Sequence, residues 1–355
     1  MITGYIVIGL FVITAIISLL ERYFGNYKKP VYMALGVLLV FVAGLREIGI
    51  DPDSDSYEYS FLNSDNPSST VIETVEISFV WISSFVNLFT NDVHFLFLFY
   101  AFLGITFKFI AFRRLSELWF TPVVVYLSYY FIAHEMMQIR TAVLSGLFLL
   151  ALCYQAEGRR WVAFFLILIG SFFHYSGFIL LPLLFLSSDY MSRKMRFLWL
   201  AFIPASYVVF FLGLNIIMSL DIPLVGAKLA SYQGAEDVGN GVGYVNVFRP
   251  LHLFSIALLI YLMFFYDTIV KESKYFTLLL KVFILGLCAY EILGFLPVLA
   301  QRVNMLLLSV TIPLYTYISY TILPKWAAIL IVVFVSFVYL NYGLPLINTP
   351  LLWNG

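Results

Sequence analysis

The chain reads as long apolar blocks separated by short polar breaks. A helix needs about 20 residues to cross a hydrocarbon layer roughly 30 Å thick, and fewer where it is sunk in protein. The blocks predict spans near residues 2–20, 30–46, 92–112, 120–135, 138–156, 160–174, 175–188, 197–219, 249–268, 276–296, 302–321 and 325–341. The expected architecture is all-α, a polytopic transmembrane helix bundle of about twelve spans forming a single membrane domain over residues 1–355, with outer loops 47–91 and 220–248. The segment 71–89 is apolar enough to pose as another span. If it crossed, Arg113 and Arg114 would move to the other face with everything after them, so it is expected as an interfacial or re-entrant helix on the outer face, carrying Glu73 and Glu76 on one side at i, i+3.

One block demands a reversal. Residues 164–186, FFLILIGSFFHYSGFILLPLLFL, follow Arg159 and Arg160 and precede Arg193, Lys194 and Arg196. Basic residues at both ends hold both ends on one side of the membrane. The run is therefore expected as two short helices meeting near HYSG. About 14 helical residues rise only about 21 Å, so their turn stops short of the far surface. His174 then lies at the floor of an outward-facing depression; its other available role is satisfying a backbone carbonyl between helices.

Composition agrees. The chain is 62% hydrophobic and 11% charged, against about 25% charged for soluble domains. Its net charge is zero and it has no basic tail, which removes the electrostatic case for nucleic acid. The first apolar run lacks a basic n-region and a small-residue cleavage site, so it is expected as a retained span. Cys153 and Cys288 lie inside apolar runs, as small buried hydrophobes. Of the 20 Lys and Arg, 15 fall in the alternate breaks that include ERYFGNYKK, KFIAFRRLSE and SDYMSRKMR, and 5 on the other face. Basic residues stay cytoplasmic, so both termini are expected outside.

The five outer basic residues are Arg46, Arg140, Lys228, Arg249 and Arg302. The four arginines stand at outer ends of spans, where a cation is expensive unless it meets an anion or a polar cavity. The guanidinium fork matches phosphate oxygens, so their convergence points to a phosphate-bearing ligand. The loop REIGIDPDSDSYEYSF, residues 46–61, adds Asp51, Asp53, Asp55 and Glu58 with Tyr57 and Tyr59: a carboxylate to take a proton from a sugar hydroxyl, and rings to stack on sugars. A turn at residues 134–140 brings His134, Glu135, Gln138 and Arg140 to one mouth, with Thr141, Ser145 and Gly146 allowing close helix packing. Glu291, inside an apolar run, needs a partner, expected to be Arg302 or Arg140. No P-loop, zinc motif or nucleophile elbow is present.

Arg46 with its acidic, tyrosine-bearing loop, then QIRTAVLSGLFLLAL, FLILIGSFFHYSGFILLPLLFL and LAQRVNMLLL, resemble the EpsG family, Wzy-type polymerases of bacterial exopolysaccharide, capsule and O-antigen repeat units. The resemblance covers nearly the whole chain, and Arg140 with His174 in its FHxS setting is its most specific part. The family loop has one aspartate where Asp51, Asp53 and Asp55 all compete here; Asp55, two residues before Tyr57, is favoured. The resemblance implies a glycosyltransferase of the bacterial inner membrane acting at the outer leaflet on undecaprenyl-diphosphate-linked oligosaccharides, without metal or cofactor, and with a chain-length regulator protein as a further partner. It implies Arg140 and Arg302 on the donor diphosphate and Arg46 and Arg249 on the second phosphate or anionic sugar. His174 or Asp55 would be the base, with Gln138, Tyr57, Glu76, His134 and Glu291 as further substrate contacts. A lipid-linked-oligosaccharide flippase, a glycan ligase and a membrane acyltransferase are the competing readings. The flippase is disfavoured because the inner halves of the spans are nearly pure Leu, Ile, Val and Phe.

Overall fold

The computed structural model describes residues 2–64, 76–213 and 245–349. Among them every regular element is helical. In chain order these are α1 (Ile2–Leu20), α2 (Lys28–Gly44), α3 (Ser54–Leu62), α4 (Ile77–Asn87), α5 (Val93–Leu115), α6 (Thr121–Val125, continued as a π-helix over Tyr126–Met137), α7 (Ile139–Ala156), α8 (Arg160–Phe173), α9 (a 3-10 helix, Tyr175–Phe185), α10 (Arg193–Phe211), α11 (Pro250–Phe264), α12 (Tyr266–Glu272), α13 (Phe276–Ile292), α14 (Pro297–Leu307) and α15 (Lys325–Gly343).

Local chemistry places several of the ends. Pro122, Pro250 and Pro297 sit in first turns, where a missing N–H leaves no bond unmade. Asp92 caps α5 by accepting from the His94 backbone N–H at 3.0 Å, and Arg113 and Arg114 complement its C-terminal dipole.

Seven helical segments among the described residues are long and apolar enough to cross a membrane: Ile2–Tyr23, Gly25–Gly44, Val93–Leu115, Ile139–Ala156, Arg193–Phe211, Pro297–Tyr320 and Lys325–Ile347. The pair α11 and α12, bent by 80°, makes an eighth if it counts as one span. The other four expected spans fall on α6, α8, α9 and α13, which are shorter. With 14 and 11 residues, α8 and α9 rise about 21 and 22 Å, less than a hydrocarbon layer. Length and composition among the described residues thus support seven or eight crossings. Large apolar side chains cover the outside of these helices, among them Val12, Ile13 and Ile16 on α1 and Phe334 on α15. Soluble proteins do not expose such continuous apolar surface, and the chain is a membrane protein.

The helix expected at 71–89 is seen as α4, whose 11 residues rise about 16 Å, too short to cross. Residues 71–75, with Glu73, lie outside the described residues, as do Lys228, most of the loop expected at 220–248 and the end of the span expected at 197–219.

The chain divides into two compact units: Met1–Leu186 with Lys271–Tyr275 and Ile312–Gly355, and Ser187–Val270 with Phe276–Thr311. In the first, α5 and α7 lie side by side and α7 packs on α8. Gly104 permits the close approach of α5 and α7: a Cβ there would sit 3.0 Å from Glu135 Oε1 and 3.2 Å from Ala142 Cβ. In the second, α13 packs against α10 and α14.

Two expectations fail inside the first unit. Lys108, counted with the cytoplasmic break KFIAFRRLSE, is fully buried within α5 and donates to Glu135 Oε1 and to the Ala142 carbonyl, both at 2.6 Å. Apolar neighbours hid it less than its distant partner did: Glu135 is 27 residues away. The stretch after Arg46, expected as a loop throughout, is a short turn followed by helix α3. Asp51 Oδ1 accepts from the Asp53 and Ser54 backbone N–H groups, both at 3.0 Å, and nucleates that helix.

Candidate functional site

Three polar side chains from distant parts of the first unit meet. Glu76 stands at the N-cap of α4 in an extended conformation, and its side chain makes no capping bond to that helix. Its Oε2 accepts from Arg140, in the first turn of α7, and its Oε1 is 2.6 Å from Nδ1 of His174. His174 occupies the extended break between α8 and α9, so the expected reversal at HYSG is present. The turn is tight enough to require glycine at 177, where a Cβ would sit 2.8 Å from Ser171 Cα.

The walls are aromatic. The Arg140 guanidinium lies 5.5 Å from the Tyr57 ring centre and 5.7 Å from that of Phe79. Tyr57, Phe79, Phe97 and Tyr100 form one buried cluster. Contact of Gly104 with Ala142 puts the first turn of α7 beside the Tyr100–Gly104 turn of α5. Tyr100 is seven residues into α5, so the site lies about 10 Å along that helix from its start. Exposure is graded: 4% for the Glu76 side chain, 12% for His174 and 21% for Arg140. A ligand would therefore meet the guanidinium and the imidazole, with the carboxylate behind them.

Burial pushes the Glu76 carboxyl up, but the His174 hydrogen bond and the Arg140 charge outweigh it and hold it at about 2, against an ordinary 4.5. A depressed native value means that the contribution of Glu76 to stability is complete above 4.5 and disappears as pH falls toward 2. Unfolding midpoints of the wild type and Glu76→Gln are thus expected to differ at neutral pH and to converge across that window; a difference that stays constant with pH would refute the charged cluster.

The remaining candidates are dispersed. Arg46 is buried, with Nε 3.1 Å from Asp51 Oδ2, NH1 2.8 Å from the Ala43 carbonyl and its guanidinium 3.9 Å from the Phe97 ring centre. It holds the acidic turn to the end of α2. Asp55 is exposed, whereas Tyr57 is buried; two helical residues differ by about 200° around the axis, so Asp55 points away from the cluster. His134 and Glu135 are not at an open mouth: both are buried, His134 Nδ1 lying 3.3 Å from Ser145 Oγ. Gln138 is the hinge residue between the π-helix and α7.

The second unit holds the rest. Arg249, at the N-cap of α11, donates to Asn304 Oδ1 at 3.2 Å and lies 4.2 Å from the Tyr290 ring centre. Arg302 is half-buried on α14. Glu291 is not partnered by Arg302 or Arg140 as expected. Its Oε1 is 2.8 Å from His252 Nε2, and Ser206 donates to its Oε2. The sequence reading missed His252, Ser206 and Lys108. Histidine is scarce, four in 355 residues, and asking what each ring inside an apolar run is paired with would have singled out His252.

Comparison with known proteins gives one family. The EpsG family model matches residues 29–351, nearly the whole chain. No curated protein and no solved structure matches.

Proposed function

The chain belongs to the EpsG family, and from that premise we propose that it is a polysaccharide polymerase, joining lipid-linked oligosaccharide repeat units at the outer leaflet of the bacterial cell membrane. The observation that supports this reading most is Glu76 bridging Arg140 and His174. In the neutral ring, Glu76 accepts Nδ1–H and fixes the tautomer, so that Nε2, 3.5 Å from Ser176 Oγ, is the basic nitrogen that would take the proton of a substrate hydroxyl in exchange for that contact. That is the arrangement of a general base with its orienting group. Arg140 offers the rest of its fork to a phosphate.

In the proposed reaction the acceptor hydroxyl gives its proton to His174 Nε2 as its oxygen bonds the anomeric carbon of the donor sugar. The bond from that carbon to the undecaprenyl diphosphate oxygen breaks, and Arg140 stabilises the charge on the departing diphosphate. Tyr57 supplies an aromatic surface beside the guanidinium. His174 is favoured over Asp55 as base because Asp55 is turned away from Arg140. Arg249 and Arg302 are retained as anion-binding groups of the second unit, and Arg46 as the residue that shapes the acidic turn. About twelve crossings, with α4 re-entrant from outside and both termini extracytoplasmic, complete the reading, together with a chain-length regulator as partner.

Purified protein mixed with lipid-linked repeat units is expected to produce ladders of increasing length. Arg140→Lys, which keeps the charge but loses the fork, should reduce polymer by about ten- to a hundredfold with normal membrane insertion. Wild-type yield from that variant removes Arg140 from the site. Movement of the lipid between leaflets without new glycosidic bonds would instead make the protein a flippase.

A further inference from the structure

At the end of α5 away from the Glu76 site, the first unit contains a cavity of about 650 Å³, within the roughly 300–1,000 Å³ of small-molecule sites. Arg113, Arg114 and Lys274 face it together with Trp119, Tyr275 and Tyr320. Arg113 is 13 residues beyond Tyr100 on α5, which sets it about 20 Å along that helix from the turn beside the candidate site. Hydrogen bonds fix the walls. Ser273 donates to the Tyr317 hydroxyl at 3.0 Å, and that hydroxyl donates to the Leu115 carbonyl at 2.8 Å, tying the link between α12 and α13 to the end of α5. Glu157, outside the lining, lies 3.2 Å from Lys274 Nζ, accepts from the Tyr275 hydroxyl at 2.8 Å and pairs with Arg114. One carboxylate thus gathers two cations and leaves positive charge in excess.

Arg113 differs from both. Its guanidinium lies 3.4 Å from the centre of the Trp119 ring and makes no hydrogen bond or ion pair among the described residues. Stacking occupies the flat face and leaves the N–H groups at the edge unused. Trp119 is itself held, since its backbone N–H donates to both Glu21 carboxylate oxygens, at 2.9 and 3.0 Å. A pre-oriented fork without a carboxylate is what a phosphate completes. Of the two acids that face the cavity, Glu117 is 3.4 Å from Lys325 Nζ and Glu272 is exposed. Depth points to the source of the phosphate. The candidate spans Val93–Leu115 and Pro297–Tyr320 have their last residues in this lining. Trp119, Tyr275 and Tyr320 are the amphipathic rings that gather at a membrane–water boundary, and basic pockets between transmembrane helices at that level hold lipid headgroups.

We infer that this cavity binds the headgroup of an anionic phospholipid, a phosphodiester that carries hydroxyls. Arg113 takes the phosphate, Arg114 and Lys274 add positive charge, and Glu117 or Glu272 accepts from the headgroup hydroxyls. The inference is independent of the polymerase reading. On the predicted orientation the lipid belongs to the inner leaflet, opposite the one where polymerisation is proposed.

The test uses the full chain in a neutral detergent, titrated separately with dioctanoyl phosphatidylglycerol, dioctanoyl phosphatidylcholine and glycerol 3-phosphate. Native mass spectrometry reads the bound ligand, and thermal unfolding reads the midpoint. Phosphatidylglycerol is expected to form one discrete adduct and to raise the midpoint, and the other two to bind about tenfold more weakly. Arg113→Gln should weaken the phosphatidylglycerol adduct about tenfold and remove the midpoint shift. Arg160→Gln, at an exposed basic residue outside the cavity, should change neither. If Arg113→Gln does not fold, Arg113→Lys carries the same test, with about tenfold weaker binding expected. Unchanged binding in the Arg113 variants overturns the inference, as does an equal loss in Arg160→Gln, which would mark diffuse charge attraction. Equal binding of phosphatidylcholine overturns the choice of an anionic headgroup. Arg113-dependent binding of glycerol 3-phosphate as tight as that of the lipid overturns the lipid assignment and gives the cavity to soluble phosphate esters.

Discussion

Glu76→Gln is expected to lower polymer formation by about a hundredfold or more while leaving the protein inserted and folded. The carboxylate accepts from two cationic or polar groups at once, Arg140 on one oxygen and His174 on the other. An amide keeps the shape but offers one oxygen and one NH2, so either the arginine or the imidazole must face a donor. Charge-assisted hydrogen bonds of this kind contribute about 1.5–3 kcal/mol each, and a correctly oriented base contributes about 10²–10⁴ in rate. Loss of the tautomer set by Glu76 therefore accounts for most of the expected effect. Glu76→Asp keeps the charge one methylene short and should recover part of it. Because Glu76 acts through His174, the double variant Glu76→Gln/His174→Ala should be little worse than either single one. Full additivity of the two losses in ladder assays, or wild-type ladders from Glu76→Gln, would remove Glu76 from the machinery.

Hydrophobicity made the helices legible, because a lipid environment forbids most other solutions for an apolar run. The reversal at His174 was legible too, since basic residues on both sides of residues 164–186 left no other path. The partners were not. Glu76 and His174 are 98 residues apart, and Glu291 and His252 39; an apolar block shows that a polar residue within it needs a partner without showing which. Depth alone pointed Glu291 toward arginines, yet an imidazole four helices' packing could reach was available. The immediate partners of the arginines were not legible either. Asp51 absorbs Arg46, Glu76 holds Arg140, and Arg249 belongs to the second unit. How far each apolar element runs was less legible than its apolarity. Short elements such as α8 and α9 score as apolar as full spans, and periodicity carries no information on whether a helix stops midway.

Lys108 provides the other large effect, this time on stability. Its ammonium donates to Glu135 near the end of the π-helix and to the Ala142 carbonyl in the first turn of α7. These two contacts bracket Gln138, where the backbone breaks, and Arg140, the second residue of α7. The lysine thus clamps the bend that aims the guanidinium at Glu76. Lys108→Met leaves a fully buried carboxylate without its counter-charge, and breaking a buried pair from one side destabilises by about 3–5 kcal/mol. Replacing both partners, as in Lys108→Met/Glu135→Leu, removes the stranded charge and should recover most of that stability, since buried ion pairs and apolar replacements of similar volume are nearly equivalent. Polymer formation should not recover with it, because the Ala142 carbonyl remains unclamped and Arg140 loses its fixed direction. Unfolding midpoints and ladder assays on the three proteins separate the two effects. A double variant that regains both stability and activity would show that the pair supports the fold without aiming the arginine, and a fully stable Lys108→Met would show that Glu135 is not charged in the folded protein.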